Sequence, residues 1–174
     1  MGLKKCENAL WPPNPPRRFW LYLIAGICVG GVVAGGTVIR SKWVRRAAWL
    51  LAMLWCTVGG GGSLILLYTW LLTRHIPPRW NQNLWPVNPL LLALLVMIPM
   101  LRRPKVARAA VRVALIVVVL GIVGIVIKAL PIARQQNADL IALALTANAG
   151  MAAALLQHRR VLANQPDRPI MKSP

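Results

Sequence analysis

The stretch FWLYLIAGICVGGVVAGGTVI at residues 19–39 decides the fold of this chain. It contains no charged side chain, and its length matches the roughly 20 residues of helix that cross about 30 Å of hydrocarbon. Further uncharged apolar runs follow at residues 47–72, 80–101, 113–127 and 140–157. The sequence therefore predicts an all-α, polytopic membrane helix bundle with about five transmembrane helices.

The composition excludes an ordinary soluble domain. Of 174 residues, 57% are hydrophobic and 14% are charged, and the mean hydropathy is +0.58. A soluble domain carries roughly 25% charged residues. We divide the chain into a Pro-rich basic N-terminal segment (1–18), a five-helix transmembrane domain (19–157) and a basic cytoplasmic tail (158–174). We expect no separate water-exposed enzyme domain.

The distribution of lysine and arginine predicts the orientation of the bundle. Thirteen of the 21 basic residues lie after the first and third runs and in the tail: Arg40, Lys42, Arg45, Arg46, Arg102, Arg103, Lys105, Arg108, Arg112, Arg159, Arg160, Arg168 and Lys172. Cytoplasmic loops are enriched in such residues, so we expect the N-terminus outside and the C-terminus inside. The charges flanking the first run are balanced, so its own orientation rests on the later loops.

The net charge of +18 has two interpretations. A concentrated basic patch is typical of nucleic-acid binding. Here the charges are divided among short loops, a division that membrane topology alone requires. We therefore expect membrane lipids, and no nucleic acid, as the partners of these charges.

The cysteines and histidines do not predict a metal site. Cys28 and Cys56 lie inside apolar runs, where a thiol behaves as a small hydrophobic group. His75 and His158 are expected on opposite faces of the membrane, and no CxxC or HxxxH spacing occurs. We expect no metal, no cofactor and no complete catalytic constellation in this chain.

Glycine spacing in the first run predicts close helix packing. Gly26 with Gly30, and Gly31 with Gly35, form two GxxxG pairs, which let helix backbones approach closely in lipid. One interpretation is packing within the chain, for example against the glycines at 59–62. The other is a docking face for another chain.

The fifth run carries a comparable stripe of small residues, Ala142, Ala149 and Ala153, which also predicts a packing or docking face. Asn148 lies deep in the same run, where its amide needs a partner on another helix. Asp139 begins the run, and the helix dipole favours an anion at a helix N-terminus.

The densest polar grouping lies between the second and third runs and consists of Arg74, His75, Arg79, Asn81 and Asn83. Its cations and amides are suited to a lipid or lipoprotein headgroup. Alternatively, the amides only satisfy exposed backbone beside the bilayer. In either case Asn88 is predicted to cap the third helix, with Pro89 as its first residue.

Several motifs around this loop resemble a known family. The sequences YTWLLTRH (68–75), NQNLWPVNPL (81–90) and QQN (135–137), with the arginine-rich turn between them, are similar to the membrane-spanning C-terminal part of Lnb-like bacterial inner-membrane proteins. That family includes lipoprotein N-acyltransferases, and the resemblance covers roughly residues 60–157. It implies a multi-pass protein of the bacterial inner membrane whose outer loop lies near lipid or lipoprotein.

Two departures limit what the resemblance implies. The family pattern has an acidic residue before the histidine, where this chain has Arg74. In the family, a separate extracytoplasmic domain with cysteine and histidine performs the chemistry, and this chain has no room for it. No catalytic residue is therefore carried over.

These observations lead to one hypothesis and two alternatives. The leading hypothesis is a non-catalytic accessory or anchoring subunit with a protein partner in the membrane. The first alternative is a membrane component of lipoprotein N-acylation that works with a separate catalytic domain. The second is a small transporter or channel, which would predict inverted repeats or several buried charges.

The predicted orientation is testable by thiol labelling in intact cells. A membrane-impermeant reagent is expected to label a cysteine placed at Gln82 and to leave one placed at Arg103 unlabelled, because the thirteen basic residues hold the latter side in the cytoplasm. The unsubstituted chain gives the background from its native cysteines. Labelling at Arg103 from outside would contradict the orientation.

Overall fold

A computed structural model describes residues 18–72, 84–128 and 138–164, and the regular elements in these ranges are helices. They are α1 (Phe19–Val38), α2 (Lys42–Leu72), α3 (Leu90–Met97, continued by a 3-10 turn at Ile98–Met100), α4 (Pro104–Lys128) and α5 (Ala138–Ala163). Helices α1, α2, α4 and α5 are long and apolar enough to cross a membrane. The all-α prediction is confirmed, and four of the five predicted spans are long helices.

Helices α2, α4 and α5 extend beyond the uncharged runs into basic sequence. Helix α2 begins at Lys42, α4 begins at Pro104, and α5 continues to Ala163. A helix does not have to end where the hydrocarbon ends, because its hydrogen bonds are internal and its cations reach the headgroup layer. His158 therefore lies within α5.

Helices α1 and α5 pack in parallel along their length. At one end, the backbone N–H of Arg18 donates to the carboxylate of Asp139, with the nitrogen 3.3 Å from Oδ2. Towards the other end, the Thr37 hydroxyl lies 3.4 Å from Oε1 of Gln157. The first turn of α5 therefore places its carboxylate at the start of α1.

Glycine determines how closely these two helices approach. A Cβ at Gly30 would lie 2.6 Å from the carbonyl oxygen of Thr146 and 3.2 Å from Cα of Gly150. At Gly26, a Cβ would collide with the side chain of Thr146. No glycine in the described ranges has a positive φ. These glycines are therefore needed for space and not for backbone conformation.

The glycines at 59–62 are not the surface on which Gly26 and Gly30 pack, so that suggested internal partner was wrong. A Cβ at Gly59 would lie 2.6 Å from Cδ1 of Leu91, and one at Gly60 would lie 2.6 Å from Cγ of Leu92. The physical reason is that a glycine groove accepts whichever side chain lies opposite. Here the leucines of α3 fill the groove in α2.

The third run forms a short helix preceded by non-helical backbone. Leu90–Met100 has a length of about 16 Å, well below the roughly 30 Å of a hydrocarbon core. Pro86 and Pro89 lack an N–H and disfavour helical backbone in the residues before them. Oδ1 of Asn88 accepts the N–H of Leu90 at 3.1 Å. The Asn88 side chain therefore caps α3 as predicted, but the helix begins at Leu90, one residue after the predicted Pro89.

Alanine and a few larger apolar side chains form the core between α2, α3, α4 and α5. Leu91 and Leu94 of α3 are buried against Val117 of α4 and against Met151 and Leu155 of α5. Ala110, Ala114, Ala144 and Ala154 are buried beside them. The short α3 therefore packs between α2 and α4, while Val96, Pro99 and Met100 remain exposed.

The contact between α1 and α5 predicts the effect of adding one methyl group. We expect Gly150→Ala to lower the free energy of unfolding by about 1–3 kcal/mol, because the new Cβ would overlap the Gly30 backbone. Gly31→Ala is the matched control, since a Cβ there would meet no atom within 4 Å. Alanine has the higher helix propensity by about 1 kcal/mol, so the control is expected to be neutral or stabilising. Unfolding in detergent, followed by circular dichroism, compares them, and equal responses would contradict the packing.

Candidate functional site

A buried amide on α5 joins three parts of the bundle. Nδ2 of Asn148 donates to the carbonyl oxygen of Pro86 at 2.9 Å, and Oδ1 of Asn148 accepts the indole N–H of Trp55 at 2.9 Å. The Asn148 side chain is only 1% exposed. The predicted need of Asn148 for partners on other elements is confirmed, and the bridge connects α2, α5 and the segment before α3.

The segment at 84–89, which is irregular from Trp85 onward, is bonded to α5 through this bridge. Pro86, Val87 and Asn88 are buried. Nδ2 of Asn88 donates to the carbonyl oxygen of Trp85 at 3.1 Å. Two amide side chains therefore satisfy backbone groups that a regular helix would have paired internally.

Glycines in α4 make room for the segment. A Cβ at Gly124 would lie 2.8 Å from Cβ of Trp85, and one at Gly121 would lie 3.9 Å from Cα of Pro86. Within the membrane, irregular backbone is tolerated only where protein buries it or where it lines a cavity. Helix α4 covers the segment on one side and Asn148 satisfies it on another.

The bridge lies deep in the bundle. Asn148 is about 15 Å from the start of α5 and about 22 Å from its end, given a rise of 1.5 Å per residue. Two sulfur side chains lie one turn farther along, where Sγ of Cys56 is 3.5 Å from Sδ of Met151. The middle of the bundle therefore holds one polar bridge next to an apolar and sulfur-lined core.

His158 ties the basic end of α5 to its neighbours. Its Nε2 lies 3.3 Å from the carbonyl oxygen of Leu101, at the turn between α3 and α4. Its ring packs edge-on against Trp49 of α2, with 5.8 Å between the ring centroids. The start of α2, the end of α3 and the end of α5 thus meet on the same side as the basic loops.

The residues predicted for packing or docking fall into two groups. Gly26 and Gly30 lie against α5, whereas a Cβ at Gly31 or Gly35 would meet no atom within 4 Å. On α5, Ala142 is buried, Ala153 is half-buried and Ala149 is exposed. The predicted pair Gly26 and Gly30 therefore packs against α5, whereas the predicted pair Gly31 and Gly35 faces no other helix of the described chain.

The predicted headgroup residues Arg74, His75, Arg79, Asn81 and Asn83 lie outside the described residues. Among the residues that the structure describes, no group of three or more metal-ligating side chains comes together. In the sequence, these residues are followed directly by the segment at 84–89, in which Pro86, Val87 and Asn88 are buried.

The sequence analysis did not identify Thr146, Gly150 and Trp55. Thr146 and Gly150 form the surface on which Gly26 and Gly30 pack. Thr146, Gly150 and Ala154 are spaced four residues apart, a small-xxx-small pattern that indicates close helix packing. This pattern lies beside the predicted stripe of Ala142, Ala149 and Ala153. Trp55 had no local signal, because its donor role depends on Asn148, a residue 93 positions away.

Comparisons with models of protein families, with curated proteins and with solved structures find no match to this chain. The resemblance to Lnb-like proteins therefore stays a prediction.

The bridge predicts the effect of removing its central amide. We expect Asn148→Ala to lower the free energy of unfolding by about 1–2 kcal/mol, because the Pro86 carbonyl and the Trp55 indole lose their partner in a water-free environment. Thr57→Ala is the control, since its exposed hydroxyl donates only to the Met53 carbonyl of its own helix. Detergent unfolding measures both, and an Asn148→Ala cost no greater than that of Thr57→Ala would contradict the role of the bridge.

Proposed function

We propose that this chain is an integral membrane accessory or anchoring subunit of a larger assembly in the bacterial inner membrane, with its N-terminus outside and its C-terminus inside. Four long apolar helices support the membrane location. The charge distribution along the sequence supports the orientation. The segment at 80–101, which includes α3, is proposed as the remaining membrane element.

The observation that carries the proposal is the unequal use of glycine on α1. Gly26 and Gly30 hold α5 at backbone distance, while Gly31 and Gly35 lie on the other side of the helix with open space before them. Ile27, Cys28 and Val32 are exposed beside this second pair. We call these five residues the open glycine face.

A closely packed helix is the occupant that suits this face. Glycine on a lipid-facing surface lowers helix propensity by about 1 kcal/mol per residue without gaining a contact. A helix that packs against Gly31 and Gly35 recovers this loss through close backbone contact. We therefore propose that an uncharged transmembrane helix of another protein lies against the open glycine face.

Charge favours a different protein over a second copy of this chain. The residues after α1 include the exposed cations Arg40, Lys42, Arg45 and Arg46. A second copy, itself with a net charge of +18, would bring like charges together at this end. A partner with acidic residues beside its transmembrane helix would pair with them.

One feature supports the alternative role in lipoprotein N-acylation. Part of the sequence that resembles Lnb-like proteins, residues 84–90, lies in the described structure, and Asn148 bonds it to the rest of the bundle through the Pro86 carbonyl. In that alternative the partner is a separately encoded catalytic domain with cysteine and histidine. The identity of the bound protein distinguishes it from the accessory role.

The transporter alternative has no comparable support. A discontinuous helix in a transporter presents free polar groups to its solute. At the break before α3, the side-chain amides of Asn88 and Asn148 are bonded to the protein's own backbone and to Trp55. They hold the bundle together.

The docking proposal predicts a loss of assembly without a loss of protein. Gly31→Leu combined with Gly35→Leu is expected to weaken association by about 1–3 kcal/mol, because the leucines fill the space needed by the partner backbone. Gly61→Leu on α2 is the matched control, since a Cβ there also meets no atom within 4 Å. Blue-native gels after gentle detergent extraction measure assembly, and immunoblots of the membrane fraction measure amount.

Two outcomes would contradict this docking proposal. The first is unchanged migration of the Gly31/Gly35 variant. The second is formation of the wild-type complex by the purified chain alone, because a second copy would then occupy the open glycine face. Mass spectrometry of the retained complex identifies the partner and separates the accessory role from acylation.

A further inference from the structure

Two adjoining cavities open at the basic end of α4 and α5. The first, of about 270 Å³, is lined by Lys105, Arg108, Ala109 and Arg112. The second, of about 210 Å³, is lined by Pro104, Ala107, Arg108, Arg159, Leu162 and Ala163. Arg108 belongs to both. We call the two cavities together the basic cleft.

Helical spacing explains why the cations of the cleft gather. Lys105, Arg108 and Arg112 are separated by three and four residues, so they share one face of α4. Arg159 comes from the last turns of α5, which packs beside α4. Four exposed cations therefore line the two adjoining cavities.

No carboxylate balances these cations among the residues that the structure describes. The one acidic side chain in those ranges is Asp139, about 30 Å from Arg159 along α5. Neighbouring cations repel one another, which raises the electrostatic free energy of the cleft, and a bound anion lowers it. The cleft is therefore electrostatically suited to an anion.

The position of the cleft along α4 indicates the kind of anion. Lys105 to Arg112 covers about 10 Å of helix, comparable with the headgroup layer of one leaflet, and the uncharged run at 113–127 follows directly. Ala107, which is buried, and Leu162 form an apolar wall beside Arg108 and Arg159. A ligand that fits has a charged phosphate next to an apolar chain.

We propose that the basic cleft binds the headgroup phosphate of an anionic phospholipid. Arg108 contacts the phosphate from the centre, because it lines both cavities, and Lys105, Arg112 and Arg159 surround it. Guanidinium groups donate paired hydrogen bonds to phosphate oxygens, which a single ammonium does not match. The acyl chains extend along the exposed apolar surface of α4, where Leu115, Ile116 and Val119 are exposed.

The test uses the full chain purified in a neutral detergent. Native mass spectrometry measures the fraction of protein that carries phosphatidylglycerol, with phosphatidylcholine as the zwitterionic reference and inorganic phosphate as the soluble competitor. We expect phosphatidylglycerol to bind at least about tenfold more tightly than phosphatidylcholine, as charge-assisted contacts to phosphate imply. The double variant Arg108→Gln/Arg159→Gln is expected to lose this preference.

The matched control carries the same change of charge elsewhere at the same end. Arg102→Gln/Arg103→Gln removes two exposed cations that line neither cavity, and it is expected to keep the lipid preference. Equal loss in both double variants would overturn the site, because binding would then follow total charge. Displacement of the lipid by inorganic phosphate at an equal concentration would overturn the lipid as ligand and assign the cleft to a soluble anion.

A second double variant keeps the proposal testable if Arg108→Gln/Arg159→Gln does not fold. If Arg108→Gln/Arg159→Gln does not elute as a single species, Lys105→Gln/Arg112→Gln removes the same number of charges from the exposed face of α4 and carries the same expectation. Its retention of the full lipid preference would overturn the proposal.

Discussion

The need to pair every backbone polar group inside a bilayer governs this structure. A continuous helix meets that need without help from its neighbours, but the chain at 84–89 contains prolines and does not continue as a helix. The Asn148 amide accepts a hydrogen bond from the Trp55 indole and donates one to the Pro86 carbonyl, and the Asn88 amide accepts the N–H of Leu90 at the start of α3. These hydrogen bonds join α2, α3 and α5 at this short segment.

Glycine makes that arrangement sterically possible, and it does so in three ways. Gly30 and Gly150 bring two helices into backbone contact, while Gly59 and Gly60 accept leucine side chains from α3. Gly124 leaves room for Trp85. In each case the missing Cβ is filled by a neighbour, which is how close packing replaces the hydrophobic driving force that lipid does not supply.

The buried amides of Asn88 and Asn148 are bonded within the chain, so the surfaces available to a partner or a ligand lie on the outside of the bundle. Outward from the bundle lie the open glycine face of α1 and the basic cleft between α4 and α5. The first is an uncharged surface suited to a helix, and the second is a charged surface next to the apolar part of α4. The proposed role of accessory subunit would use both surfaces, the first to bind a partner helix and the second to bind anionic lipid.

Much of the architecture follows from local sequence. Uncharged runs identified the four long helices because the cost of placing charge in hydrocarbon depends on each run alone, and Asn88 with Pro89 identified the start of α3 because capping involves only adjacent residues. Asn148 was recognised as needing a partner for the same reason, since the cost of burying its amide is local.

Tertiary structure decided which surfaces meet. A GxxxG pair shows that a helix backbone can be approached closely, but it does not show by which helix. Gly26 and Gly30 pack against α5, whereas Gly59 and Gly60 pack against leucines of α3. Trp55 and Pro86 could not be named as the partners of Asn148 from the sequence, because they lie 93 and 62 residues away along the chain. The convergence of Arg108 and Arg159 on one cleft likewise required the packing of α4 against α5. Local sequence determines what each helix needs, whereas only the assembled bundle determines which neighbour supplies it.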